Sequence, residues 1–192
     1  MRAPFARRTV LAAALAAAPL ATATAWNPFA TTLPDVLLLD HRRRPWRFRS
    51  EALSQRPVIA LDLIYSGCTS ICPLSTRVMA EARGMLREEA GDRLRYLSLT
   101  LDPEADTPER LAVYAAAAGV PDAEDWLFLT GSHKDVVAIL RALRARFGRP
   151  DDHAPVFFVG DGKAPRLSQL LAIPPPDELA ATLRSALRGV SG

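Results

Sequence analysis

Two kinds of apolar pattern alternate along this chain. The short apolar run Val58–Tyr65 reads as a buried strand, and Leu94–Leu101, Trp126–Leu129 and Val156–Gly160 read as further strands. Between them lie stretches whose apolar residues recur at three- and four-residue steps, as at Leu74, Val78, Met79, Ala82, Met85 and Leu86. The spacing predicts helices over about 73–90, 108–118, 132–147 and 174–189. Gly91-Asp92 ends the first, and Thr107-Pro108 starts the second before Gly119 stops it. Ser132 caps the third, with Asp135 near its positive end, and Pro174-Pro175-Pro176 opens the fourth. Upstream, Val36–Asp40 and Trp46–Phe48 flank His41-Arg42-Arg43-Arg44-Pro45 as a β-hairpin. Residues 26–35 read as an irregular lead-in, and Ser50–Gln55 as a connector or single helical turn. Asp161-Gly162 signals a second hairpin, with Arg166–Ala172 pairing back on the strand before it.

Strand and helix alternate in the middle, and a hairpin with a final helix closes the chain. That order predicts an α/β fold: a thioredoxin-like sandwich with a central mixed β-sheet, helices on both faces and an N-terminal β-hairpin. At 192 residues and 49% apolar composition, one domain with a sizeable core is expected. The first 25 residues stand apart. Arg2, Arg7 and Arg8 precede an uncharged run, Val10–Ala25, that is mostly alanine and leucine, and Ala23-Thr24-Ala25 offers a small-x-small cleavage site before Trp26. Residues 1–25 therefore read as an export signal, with an uncleaved anchor as the alternative, and 26–192 as the domain. Arg7-Arg8-Thr9-Val10-Leu11 also resembles, loosely, a twin-arginine signal. Both readings put the domain outside the cytoplasm, in the periplasm. The formal charge of +3 is accounted for by those three arginines. The rest is neutral and has no broad basic field for nucleic acid. Membrane contact is expected only through a partner or an uncleaved N-terminus.

Chemistry concentrates in Tyr65-Ser66-Gly67-Cys68-Thr69-Ser70-Ile71-Cys72-Pro73, which holds both cysteines of the chain. Ser66-Gly67 breaks the strand, and Pro73 suits a first helical turn, so the thiols fall on a strand-to-helix turn with Cys72 at the helix entrance. Free backbone N–H groups and the positive dipole end favour a thiolate there. Two thiols at this spacing can close a disulfide, which an exported compartment permits, or ligate one soft metal ion. Asp62 is a carboxylate inside an otherwise apolar strand; a buried charge needs a partner, and the sequence names none. Arg42-Arg43-Arg44 reads as a solvated turn. His41 belongs to that hairpin, and His133 to a helix start.

Further motifs fall in a fixed order: Cys68-x-x-x-Cys72-Pro73, then Leu101-Asp102-Pro103-Glu104-Ala105-Asp106-Thr107-Pro108, then Trp126-Leu127-Phe128-Leu129-Thr130-Gly131, then His153 just before the strand Val156–Val159. On these motifs, residues 33–189 resemble the Sco/SenC family of copper-binding, thioredoxin-fold proteins that help assemble cytochrome c oxidase. The resemblance implies one copper ion per chain, as Cu(I) or Cu(II), with Cys68, Cys72 and His153 as ligands. The donor set agrees, since thiolates favour Cu(I) and imidazole extends the site to Cu(II), although two cysteines and a histidine also suit zinc. Asp106-Thr107-Pro108 is accounted for by helix capping. Asp102, at the C-terminal end of a strand beside the cysteine strand, is expected to face the site and hydrogen-bond a ligand or take a thiol proton.

The implied function is a metallochaperone that delivers copper, or reducing equivalents, to the copper centre of a terminal oxidase. Its partner would be a copper-containing oxidase subunit or another periplasmic copper or thiol protein. The alternative is an extracytoplasmic thiol–disulfide oxidoreductase with Cys68 and Cys72 as its redox pair and no physiological metal. A peroxidase-type thiol enzyme lacks its expected single-cysteine, threonine-containing motif. Three features depart from the family pattern. The segment Gly148-Arg149-Pro150-Asp151-Asp152 is shorter than usual. Pro155 follows His153 by two residues, where thioredoxin-like proteins often place a cis-proline. Arg43 stands in the first hairpin turn where glycine is usual.

Overall fold

The computed structural model describes residues 29–30, 32–120, 124–145, 154–164 and 166–190. Strand β4 (Val58–Ile64) lies in the middle of the sheet, and all seven of its residues are buried. A strand covered on both faces reads as a continuous apolar run, which is why Val58–Ile64 shows no alternation. β5 (Leu94–Thr100) pairs parallel on one side of it, and β6 (Trp126–Thr130) pairs parallel with β5. β7 (Phe157–Asp161) runs antiparallel on the other side and turns back into β8 (Arg166–Leu170). The hairpin of β2 (Leu37–Asp40) and β3 (Pro45–Arg47) extends the β6 edge. A two-residue β1 (Phe29–Ala30) pairs with β8 at the opposite edge. Among the described residues the sheet order is β1-β8-β7-β4-β5-β6-β2-β3.

Alternate residues of β4 feed two separate cores. Val58, Ala60 and Ile64 pack with Val78, Met79, Ala82 and Leu86 of α1 (Ile71–Ala90), with Leu111 and Ala115 of α2 (Pro108–Ala117), and with Leu179 and Leu183 of α4 (Pro176–Gly189). Ile59, Leu61 and Leu63 pack with Val136, Ile139 and Leu140 of α3 (His133–Ala142) and with Phe48 and Leu53 of a π-helical turn, Phe48–Leu53. This is the expected thioredoxin-like sandwich: a mixed sheet with helices on both faces and an N-terminal hairpin.

The hairpin is organised by Asp40, whose side chain is fully buried. Its carboxylate accepts from the Arg42 amide (2.8 Å), the Arg44 amide (2.9 Å), Arg44 Nε (2.8 Å) and Trp46 Nε1 (3.1 Å). Burial pushes this carboxyl's pKa up, but the Arg44 bonds and the other donors outweigh it and hold it below the ordinary value. Arg43 sits at φ +62°, the left-handed conformation that glycine usually supplies, so the departure noted there falls on a real turn position. Arg95 reaches across from β5. It places its guanidinium 4.9 Å from the Trp46 ring centroid and donates to the carbonyls of Glu51 and Ala52.

Several boundaries differ from expectation. The lead-in contains β1, the helical turn expected at Ser50–Gln55 runs from Phe48 to Leu53, α1 begins at Ile71 rather than Pro73, α4 begins at Pro176 rather than Pro174, and α3 ends at Ala142 rather than near 147. Arg144 adopts φ +55° and stops α3 without a glycine.

Candidate functional site

β4 and β5 end side by side, joined where the Leu101 amide donates to the Ile64 carbonyl (2.7 Å). The loop after β4 carries the cysteines, and the turn after β5 carries Asp102 and Asp106. Clefts beyond the carboxyl ends of parallel strands are where α/β sheets place their chemistry.

The loop folds tightly. The Cys68 amide donates to the Tyr65 carbonyl (3.1 Å), and the Cys72 amide donates to Cys68 Sγ (3.3 Å). Both thiols are free. They are unequal in environment. α1 begins at Ile71, so Cys72 lies inside the first turn with its side chain fully buried in the α1 core. Burial pushes the Cys72 thiol far up, reinforced by the neighbouring Cys68 sulfur and by the Asp62 carboxylate. Cys68 keeps 9% exposure. Burial raises its thiol too, but the amides of Cys72 and Ser70 and the Tyr65 side chain bond its sulfur and lower the pKa below the ordinary value. The helix entrance therefore favours the thiolate of Cys68, a correction to the placement of that effect at Cys72.

Behind the pair, Thr76 Oγ1 donates to the Cys72 carbonyl (2.9 Å) and lies 2.9 Å from the Tyr114 hydroxyl, tying α1 to α2. Beside Cys68 a groove of about 530 Å³ opens between the loop and α2, lined by Ser66, Pro73, Arg110, Val113 and Tyr114 among others. Its wall is mainly apolar, and Val113 is 71% exposed. A reacting group can approach Cys68 from this side.

The carboxylates divide differently from expectation. Asp102 bonds within its own turn, where its Oδ1 accepts from the Ala105 amide (3.3 Å) and its amide donates to Thr100 Oγ1 (2.9 Å). The carboxylate that reaches the cysteine loop is Asp106, 1% exposed, which accepts from the Ser66 amide at 3.1 Å, the Ser66 hydroxyl and Thr100 Oγ1 at 2.6 Å. Capping of α2 belongs to Thr107, whose hydroxyl accepts from the Arg110 amide. The signal missed was spacing: Thr100 and Asp106 are polar residues flanking the end of a buried strand, opposite a serine two residues before a cysteine.

His153 lies outside the described residues, as do residues 1–25. His41 is 7% exposed in the hairpin, 5.4 Å from Phe128 edge-to-face, and His133 is exposed at the start of α3. Among the described residues no group of three His, Cys, Asp or Glu side chains could hold a metal ion. The two sulfurs themselves are a soft donor pair suited to Cu(I). No peptide bond among the described residues is cis, so Pro155 follows a trans bond.

A profile of the SCO1/SenC family matches residues 38–188. The chain belongs to that family. The match runs from β2 to α4 and takes in the cysteine loop, the Asp102–Asp106 turn and both faces of the sheet. Among curated relatives, the SCO1 homologue of Bacillus subtilis is 29% identical over 134 residues, covering 65% of this chain and 68% of its own length. Among solved structures, BsSco is a cytochrome c oxidase assembly protein of the Sco family in which a disulfide switch has been identified. It superposes with a TM-score of 0.70 at 23% identity, over 83% of this chain and 95% of its own. Copper-bound ScoI of Arabidopsis thaliana gives 0.68 at 19% identity, over 85% and 98%. At these identities the structural likeness establishes that this SCO1/SenC protein shares their fold. Among its described residues no helix is long and apolar enough to cross a membrane.

Proposed function

We propose that this SCO1/SenC protein is an extracytoplasmic copper carrier whose cargo ion is gripped by Cys68, Cys72 and His153. One ion is carried per chain and passed to the copper centre of a terminal oxidase, either on an oxidase subunit or through another periplasmic copper or thiol protein. The observation that carries this reading is the pair of dissimilar thiols held four residues apart on the loop after β4, in a chain of this family. Cys68, the more acidic thiol on the groove side, is the first to meet an incoming ion. Cys72, fully buried, releases its proton only when a cation replaces it. His153 would add the nitrogen that stable Cu(II) binding requires. Residues 1–25 direct export and are removed after Ala25, so cleaved protein from the host should begin at Trp26 by mass spectrometry.

The deciding experiment is anaerobic Cu(I) titration of reduced protein against a competing chelator, followed by Cu(II) titration of His153→Ala. One Cu(I) per chain is expected, lost in Cys68→Ala and Cys72→Ala. His153→Ala should keep weakened Cu(I) binding and lose the thiolate-to-Cu(II) absorption. Cu(II) binding by His153→Ala equal to the parent would remove the three-ligand site. A second reading, thiol–disulfide exchange with Cys68 as attacking thiol and Cys72 as resolving thiol, is favoured by the same asymmetry. It takes first place if reduced protein binds no Cu(I) yet reduces a disulfide substrate.

A further inference from the structure

The cysteine loop is bonded largely to itself. Gly67, Thr69 and Ser70 are exposed, and the amides of Cys68 and Cys72 both bond back into the loop. Bonds inside the loop shape it locally and Cys72 is fixed in α1, so where the Cys68 side of the loop stands depends on what holds it from outside. The outside hold comes from Asp106. Its two carboxylate oxygens share the Ser66 amide at 3.1 Å, one also takes the Ser66 hydroxyl, and the other takes the Thr100 hydroxyl at 2.6 Å. Asp106 is itself fixed. Its amide donates to the Asp102 carbonyl (2.8 Å), the Thr100 hydroxyl that it holds accepts from the Asp102 amide, and the next residue caps α2. A buried carboxylate that bonds the loop through Ser66 and the end of β5 through Thr100 is a rigid anchor, because charge-assisted bonds are shorter and stronger than neutral ones.

We propose that Asp106 is a positioning residue for the thiol pair. Its carboxylate clamps Ser66 between the ends of β4 and β5, and so fixes the distance from Cys68 to Cys72 at which the two sulfurs close a disulfide or share one metal ion. This rests on the reading of Cys68 and Cys72 as the working pair. The clamp acts on effective concentration: two thiols held within reach of each other form their bond more favourably than two on a loose loop. An aspartate that merely completed a turn would affect stability and leave that equilibrium where it was.

The test is the equilibrium of the metal-free protein with reduced and oxidised glutathione. One glutathione disulfide and the Cys68–Cys72 dithiol give one protein disulfide and two glutathione thiols, so electrons and protons balance. Asp106→Asn should lower the equilibrium constant at least tenfold, which makes the protein disulfide about 30 mV more oxidising. Ser66→Ala, which removes the hydroxyl and keeps the amide, should move it less and in the same direction. The double variant should go no further than Asp106→Asn. Ile139→Val, in the opposite core, should lower the urea midpoint and leave the constant unchanged. If Asp106→Asn does not fold, Ser66→Ala and Thr100→Val carry the test. A constant within twofold of the parent in the folded variants overturns the positioning role alone. A parent that forms no disulfide and binds no Cu(I) overturns the reading of the pair, and Asp106's role with it.

Discussion

Asp62 makes the sharpest stability experiment available in this protein. It sits on the face of β4 that carries Val58, Ala60 and Ile64, with 1% exposure, and neither carboxyl oxygen meets hydrogen-bond geometry with a described group. Burial raises its pKa from the ordinary 3.8 to about 7. The Ser98 hydroxyl on the paired strand, whose oxygen accepts from Trp126 Nε1 at 3.0 Å, and Asp62's own backbone act against this without cancelling it. The folded protein therefore holds a proton on Asp62 that the unfolded chain has released, over the window from pH 3.8 to about 7. In that window the folded state binds more protons, so stability falls as pH rises, by about 1.4 kcal/mol per pH unit where the difference is one proton. From 3.8 to about 7 this reaches about 4 kcal/mol, an upper figure because the chain relaxes around an ionised group. The perturbation is Asp62→Asn, which keeps the shape and cannot ionise. Urea unfolding of reduced, metal-free protein should show parent and variant alike at pH 4. The variant should then gain steadily to a lead of about 2–4 kcal/mol at pH 8. Other titrating groups are common to both proteins and cancel in the difference. A difference curve flat between pH 4 and 8 would mean that Asp62 is ionised in the fold and has a partner, and the argument from burial would fail.

Two further outcomes follow from the same physical reasoning. Iodoacetamide applied to the reduced, metal-free protein near neutral pH should label Cys68 at least about tenfold faster than Cys72, as read by peptide mass mapping. Cys68 has the lowered pKa and borders the groove, while Cys72 is buried with a raised one; equal labelling would show that the loop opens before reaction. Asp40→Ala should destabilise the fold by about 2–3 kcal/mol at pH 7, because four part-buried donors from Arg42, Arg44 and Trp46 lose their one buried acceptor. Its folded pKa lies below the ordinary value, so that contribution is present above pH 3.8 and fades as acid is added below it. A loss under about 0.5 kcal/mol would place the strength of the hairpin elsewhere.

Most of the architecture was legible because the two periods are cleanly separated. Residues buried on both faces of β4, β5 and β6 read as mainly apolar stretches without helical spacing, broken only by residues such as Asp62, Arg95 and Ser98, and Gly91 and Gly119 mark helix ends at positive φ. What escaped had no such mark. β1 is two residues long, too short to carry any period, and exists because β8 offers it an edge. The spacing carries α3 to about Phe147, whereas Arg144 takes the left-handed turn at φ +55° two residues after the helix ends at Ala142. Local propensity marks glycine as a stop, but tertiary packing can force an arginine into the same role.

The cysteine site shows how far a small shift in a boundary reaches. Reading α1 from Pro73 puts Cys72 just outside the helix, at its donor-rich entrance, and assigns the thiolate there. In the structure α1 begins at Ile71, two residues earlier, so Cys72 points into the core and its own amide becomes the donor that meets Cys68 Sγ. The identity of the pair and its helix-entrance chemistry were both in the sequence; which sulfur benefits was not, because that depends on a helix start no propensity rule fixes to within two residues. The same limit applies to Asp102 and Asp106. Four residues apart in one turn, they are alike in type, and only the fold decides that Asp106 crosses to Ser66 while Asp102 closes its own turn. A thiol pair with one buried and one groove-facing member, anchored from a neighbouring strand end, is asymmetric by construction. On either proposed reading, copper capture or disulfide exchange, Cys68 would act first, and the His153→Ala titration separates the two.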